Sequence, residues 1–133
     1  MFALAAWTTI VLLMIPVVRI RAALRREVRP NDFRFGESAA VPGQVSLPNR
    51  NYMNLLELPM LFYVVCIVLY LTAGSSTTTI ALAWAFVALR IGHSLIHLTY
   101  NRVVHRLAAF TAANVALVML WVTAGVHVAA AAP

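Results

Sequence analysis

Arg50-Asn-Tyr-Met-Asn54-Leu-Leu-Glu57-Leu-Pro59-Met-Leu-Phe62 is the stretch in which the chain passes from a polar segment into an apolar one. Arg50, Asn54 and Glu57 are spaced i, i+4 and i+7, so a helix would carry them as one polar stripe. The apolar run continues to Thr72, which places Glu57 inside a predicted membrane span. An ionisable group within a span normally faces a partner or a cavity. The stripe therefore predicts part of a binding site, with a structural ion pair between two helices as the alternative.

The composition is that of an integral membrane protein. Of 133 residues, 62% are hydrophobic and 11% are charged, and the mean hydropathy is +0.85. The formal charge of +6 comes from ten arginines and no lysine. Because these arginines lie in loops and at helix ends, membrane lipid or a small anionic ligand explains them better than nucleic acid does. Cys66, the single cysteine, falls within an apolar run and excludes a disulfide within the chain.

Hydropathy and turn signals predict one all-α domain over residues 1–133, a bundle of four membrane-spanning helices. The first span is expected to be retained, because its positive charges follow the apolar run, whereas those of a signal peptide precede it. Pro59 interrupts the second span. The predicted spans are about 1–25, 52–72, 80–100 and 107–132, and a polar loop covers 29–50.

The arginines also predict the orientation of the bundle. Seven lie in residues 19–50 and two in residues 101–106, whereas the turn at 73–79 carries no charge. The positive-inside rule then places both basic loops in the cytoplasm and both termini outside it, as in a bacterial inner membrane. The polar stripe would open towards the cytoplasm.

The third span ends in a second polar face. Arg90, His93, His97 and Tyr100 are spaced i, i+3, i+7 and i+10. Since the second and third spans are antiparallel, this face should lie at the same depth as the stripe that contains Glu57. We expect a structural ion pair between Arg90 and Glu57. Arginines with an amide and a carboxylate suit a small zwitterionic peptide or a phosphate-like anion, and an apolar second substrate could enter from the bilayer.

The pattern Arg50-x-x-x-Asn54-x-x-Glu57, followed by proline and phenylalanine, resembles that of the MAPEG family, as do Arg19-Ile-Arg21 and Arg90-x-x-His93. The family includes microsomal glutathione transferases and prostaglandin E synthases. The resemblance covers nearly the whole chain. It implies a homotrimer of four-helix bundles, with glutathione as co-substrate between adjacent subunits near the cytoplasmic face, and no metal.

When the family's functional positions are carried over to this sequence, the resemblance implies a set of residues that contact glutathione. Among them, Arg19 would reach in from the neighbouring subunit. Arg106 resembles the arginine that stabilises the glutathione thiolate and is the implied catalytic residue. His97 stands where the family usually has a tyrosine, and Tyr100 is the candidate to replace it. The implied glutathione-binding residues are Arg19, Arg50, Asn54, Glu57, His93, His97 and Tyr100.

The implied function is a glutathione-dependent membrane enzyme that conjugates or reduces hydrophobic electrophiles or lipid hydroperoxides. The alternative is a non-catalytic accessory or lipid-binding subunit of a larger membrane complex, built on the same scaffold. A zinc site on His93 and His97 would need a third ligand, such as His105 or Glu57. A bis-histidine haem site is less favoured, because His127, the sole histidine of the fourth span, lies near the opposite membrane surface.

Overall fold

The computed structural model describes residues 1–131, and within them the chain forms four long α-helices. These are α1 (Phe2–Leu24), α2 (Gly43–Leu71), α3 (Thr77–Leu98) and α4 (Val103–Ala131). Each helix is long and apolar enough to cross a membrane, so the chain is an all-helical integral membrane protein. The predicted end of the fourth span, residue 132, lies outside the described residues.

The turn between α2 and α3 is shorter than predicted because a capping box starts α3 early. The hydroxyl oxygen of Ser76 accepts from the backbone N–H of Thr79 at 3.2 Å. In return, the Thr79 hydroxyl accepts from the backbone N–H of Ser76 at 2.8 Å. Two backbone donors that a helix start leaves unpaired are thus satisfied. The helix begins at Thr77, three residues before the predicted span.

The predicted polar loop covered residues 29–50, and its predicted end is wrong, since α2 begins at Gly43. A short 3₁₀ turn, Pro30–Phe33, and an irregular segment fill the remainder of the loop. Helix α2 starts earlier than predicted because its first turns pack against the end of α1, in a second small core outside the main bundle. Four buried residues form this core: Ala22, Val28, Val41 and Val45. Because they come from three separate segments, no local period reveals them.

Helix α1 starts beside the first half of α3, since Phe2 and Ala3 line one pocket with Ala83 and Val87. The indole N–H of Trp7, near the start of α1, donates to the hydroxyl of Ser94, near the end of α3, at 2.8 Å. The end of α1 packs against the first turns of α2, where Ala22 and Val45 belong to the second small core. We call the end of the molecule formed by residues 25–42 and 99–102 the basic end. The arginines in the second half of α1 lie at this end.

Ser94 joins three helices in the apolar interior. Besides the Trp7 bond, its hydroxyl accepts from the side-chain amide of Asn51 on α2 at 2.6 Å. Ser94 and Asn51 are fully buried. Farther along the bundle, the rings of Phe62 and Phe86 stack with their centres 4.6 Å apart, which continues the contact between α2 and α3.

We predict that Ser94→Ala lowers the free energy of unfolding by about 1–3 kcal/mol, because it leaves the buried Asn51 amide and the half-buried Trp7 indole N–H without an acceptor. Unfolding in mixed micelles by increasing denaturing detergent measures the change. Ser75→Ala is the matched control, since Ser75 is exposed in the turn after α2. Equal stability of the two variants would contradict a role for Ser94 in holding the helices together.

Candidate functional site

A cleft of about 220 Å³ lies at the basic end, where α2, α3 and α4 meet. It combines an amide, an imidazole and a guanidinium with an apolar wall. The residues that line it are Asn54, His93, Val103, Arg106, Leu107 and Phe110. We refer to this space as the Arg106 cleft. It brings together three of the residues that the sequence predicted for one site, namely Asn54, His93 and Arg106.

The connection between α3 and α4 positions Arg106. Asn101 follows the end of α3 with φ +48°, a left-handed conformation that asparagine tolerates better than most residues. Its backbone N–H donates to the carbonyl of Ile96 at 2.8 Å. Its side-chain oxygen then accepts from Nη1 of Arg106 at 2.8 Å. Asn101 thus ends one helix and fixes the guanidinium that belongs to the next.

Arg90 lies fully buried behind the cleft and donates from Nη2 to the backbone carbonyl of Asn54. Pro59 removes the helical donor of the Leu55 carbonyl, so α2 is weakened in the turn where this contact forms. The Arg90 guanidinium carbon also lies 5.7 Å from the centre of the Phe110 ring. Nε and Nη1 of Arg90 have no hydrogen-bond partner among the described residues.

The predicted ion pair between Arg90 and Glu57 does not form within this chain. Glu57 is exposed on α2, and the guanidinium uses the Asn54 carbonyl instead. Among residues 1–131 the one ion pair is between Arg19 and Glu37, at 3.0 Å. Glu57 lies one turn along α2 from Asn54, and its side chain is exposed, whereas Arg90 is fully buried.

Arg19 belongs to a different part of the basic end. Besides the ion pair with Glu37, its guanidinium carbon lies 4.4 Å from the centre of the Phe33 ring. Both contacts come from the loop that follows α1. Arg19 is therefore held by its own chain and does not line the Arg106 cleft.

The other predicted residues also lie outside the cleft. Arg50 is exposed on α2, as is Glu57. Tyr100 is 56% exposed, and its hydroxyl lies 3.2 Å from Nδ1 of His105. His97 is buried, with its ring centre 6.0 Å from that of His93, but it does not reach the cleft wall.

A metal site on His93 and His97 needs at least one further ligand. In the described part of the chain, no three side chains of His, Cys, Asp or Glu form a group able to hold a metal ion. His105, one of the suggested third ligands, contacts Tyr100 instead.

Sequence reasoning missed several residues of this region. Phe110 closes the cleft and stands 5.9 Å, ring centre to ring centre, from His93, but nothing distinguishes it within an apolar helix. The role of Asn101 could have been predicted from the sequence, because an asparagine between two helices often ends the first one in a left-handed conformation. Asn51 lies beside Arg50 in the polar stretch, yet only its burial shows that it faces the bundle.

Comparison with known proteins yields one match. A family model described as "MAPEG family" matches residues 1–126. No curated protein and no solved structure gives a significant match.

We predict that Arg90→Met leaves the free energy of unfolding unchanged or raises it by up to about 3 kcal/mol. Replacing an incompletely paired buried cation with an apolar side chain of similar length removes a desolvation penalty. Detergent-induced unfolding measures the change, with the exposed Arg102→Met as control. A loss of several kcal/mol in Arg90→Met alone would show that its guanidinium is fully paired in the assembled protein.

Proposed function

The chain belongs to the MAPEG family, as its residues predicted, and on this premise we propose that it is a glutathione-dependent membrane enzyme. Its proposed reactions are conjugation of hydrophobic electrophiles and reduction of lipid hydroperoxides. The observation that carries the proposal is the convergence of Asn54, His93 and Arg106 on one cleft beside an apolar wall. That combination suits a polar peptide with a thiol on one side and an apolar substrate on the other.

Arg106 is the proposed catalytic residue. A free thiol has a pKa of about 8.5, so it is mostly protonated at neutral pH. A guanidinium next to the sulfur favours the thiolate and lowers that pKa. The hydrogen bond from Arg106 to Asn101 fixes the position of the cation before substrate binds. Such pre-organisation strengthens electrostatic stabilisation, because the charge does not have to reorient during the reaction.

The thiolate would then react with a substrate that lies against Phe110, Val103 and Leu107. In conjugation, the sulfur forms a bond to an electrophilic carbon. That carbon then loses its leaving group or, where the substrate is an activated double bond, the neighbouring carbon takes up a proton. In peroxide reduction, the sulfur attacks one oxygen and the O–O bond breaks, which gives an alcohol and glutathione sulfenic acid. A second glutathione converts the sulfenic acid into the disulfide and water.

We also propose a homotrimer, in which a neighbouring subunit covers the face of α2 that carries Glu57. An ionised carboxylate exposed to lipid within an apolar span is unfavourable by several kcal/mol. Glu57 has no ion-pair partner among the described residues, and Arg50 is exposed about two turns away on the same helix. Both side chains remain predicted glutathione contacts, in a site completed by Arg19 of an adjacent subunit. His97 and Tyr100 remain predictions of the same kind.

The proposed orientation follows from the arginine distribution. The basic end and the Arg106 cleft would face the cytoplasm, with both termini on the other side of a bacterial inner membrane. Glutathione would enter from the cytoplasm, and the apolar substrate would enter from lipid.

A non-catalytic accessory or lipid-binding subunit is the second candidate. The ion pair between Arg19 and Glu37 favours it, because that contact occupies an arginine which the first proposal assigns to glutathione. This candidate predicts no turnover by the isolated protein and co-purification with a stable partner.

We predict that Arg106→Ala lowers glutathione-dependent turnover at pH 7 by about 10- to 100-fold. Loss of the cation would raise the pKa of the bound thiol by about one to two units, and the reactive thiolate would become correspondingly rarer. Turnover is measured with a hydrophobic aryl halide and with an organic hydroperoxide, and glutathione affinity is measured by calorimetry in detergent. Arg102→Ala is the matched control, since Arg102 is exposed outside the cleft. Full turnover in Arg106→Ala would contradict its assignment, and no glutathione binding by the unmodified protein would contradict the proposed function.

We predict that the detergent-purified protein has three times the mass of one chain in size-exclusion chromatography with light scattering. Glu57→Lys should dissociate it, because the substitution reverses a charge in the proposed interface. Glu27→Lys, the same reversal at an exposed position after α1, should keep the trimer. A monomeric unmodified protein, or a Glu57→Lys variant that stays trimeric, would contradict the proposed assembly.

A further inference from the structure

An apolar groove runs along α1 towards the basic end. It has a volume of about 350 Å³, and five of the six residues that line it are apolar. We call it the α1 groove, lined by Ile10, Leu13, Met14, Val17, Val18 and Arg21. These positions recur every three or four residues, so they form one continuous face of the helix. The face ends in a guanidinium.

A second, polar cleft of about 190 Å³ begins where the α1 groove ends, because Val18 and Arg21 line both. We call it the arginine cleft. Its polar residues come from the end of α1, from the loop after it and from the first turn of α2: Arg21, Arg25, Glu27 and Gln44. The two spaces together therefore form one amphipathic surface, apolar along the span and cationic at its end.

The charge of the arginine cleft is not neutralised by the protein. Two guanidinium groups and one carboxylate leave the cleft with one positive charge. Arg21 and Arg25 are exposed, and the one ion pair among residues 1–131 involves neither of them. Arg19, on the same helical turn as Arg21, is engaged by Glu37 and Phe33, so the two arginines have different environments.

We propose that this surface is a binding site for an anionic glycerophospholipid such as phosphatidylglycerol. An acyl chain lies in the α1 groove, and the phosphate accepts hydrogen bonds from Arg21, Arg25 and the side-chain amide of Gln44. Glu27, at the edge, accepts from the hydroxyls of the headgroup. The site shares no lining residue with the Arg106 cleft, so it goes beyond the proposed function.

Two features select this ligand over related ones. Inorganic phosphate would use the arginine cleft but leave the apolar groove uncovered, whereas a lipid covers both. A zwitterionic phospholipid has no net charge, whereas phosphatidylglycerol carries one negative charge that complements the single positive charge of the cleft. The second small core holds the end of α1 against the start of α2, and it thereby keeps Gln44 beside the arginines.

The test is native mass spectrometry of the full chain released from detergent, with defined amounts of long-chain phosphatidylglycerol or phosphatidylcholine. We expect phosphatidylglycerol to bind at least about tenfold more tightly than phosphatidylcholine. The double variant Arg21→Ala/Arg25→Ala should lose about tenfold in affinity or more, since it removes both guanidinium groups that would bind the phosphate.

Arg34→Ala/Arg102→Ala is the matched control, because it removes the same charge from exposed positions outside both spaces. Its affinity for phosphatidylglycerol should be unchanged. Equal losses in the two double variants would overturn the proposal in favour of general attraction to the surface charge. Equal binding of phosphatidylcholine by the unmodified protein would overturn the charge assignment.

A second comparison requires no substitution and therefore does not depend on the folding of a variant. Dioctanoyl phosphatidylglycerol should bind at least about tenfold more weakly than the long-chain lipid, because it buries fewer methylene groups in the α1 groove. Equal affinities, or displacement of the lipid by inorganic phosphate at the same concentration, would overturn the role of the groove. Glutathione turnover is not part of this test, so its outcome is separate from that of the proposed function.

Discussion

Within an apolar span, a polar side chain has to find its partner inside the protein, and the arrangement of this bundle follows from that constraint. The hydroxyl of Ser94 accepts from Trp7 on α1 and from Asn51 on α2, so one small side chain joins three helices. These bonds set the depth of α1 relative to α3. The end of α1 reaches the basic end, where it packs against the first turns of α2.

The same constraint explains why Arg90 and Glu57 have different environments although both were predicted to form one ion pair. Arg90 points into the bundle and uses the backbone carbonyl of Asn54, close to the turn that Pro59 weakens. Glu57 is exposed on α2, one turn beyond Asn54. A carboxylate in that position is compatible with a membrane only if something other than lipid covers it. The strongest physical support for an oligomer is therefore this exposed acid.

The basic end carries two cationic sites of different character. Arg106 is held in place by Asn101 beside a buried histidine, and its cleft is small and bounded by three helices. Arg21 and Arg25 lie on an exposed helix that continues into an apolar groove. A cation held by a hydrogen bond suits a reacting anion, whereas exposed arginines at the end of an apolar face suit a lipid headgroup. The arginine count alone does not distinguish these roles.

The sequence by itself determined the number of membrane-crossing helices, the two polar faces at one end of the bundle, and the family. Hydropathy and helical spacing are local properties, so each could be read without knowing the neighbours of a helix. Only the tertiary structure decided that Asn54, His93 and Arg106 share a cleft with Phe110, that Arg90 binds a backbone carbonyl and not Glu57, and that α2 begins at Gly43. The reason is that contacts between helices depend on rotation and axial shift, and a periodic pattern fixes neither.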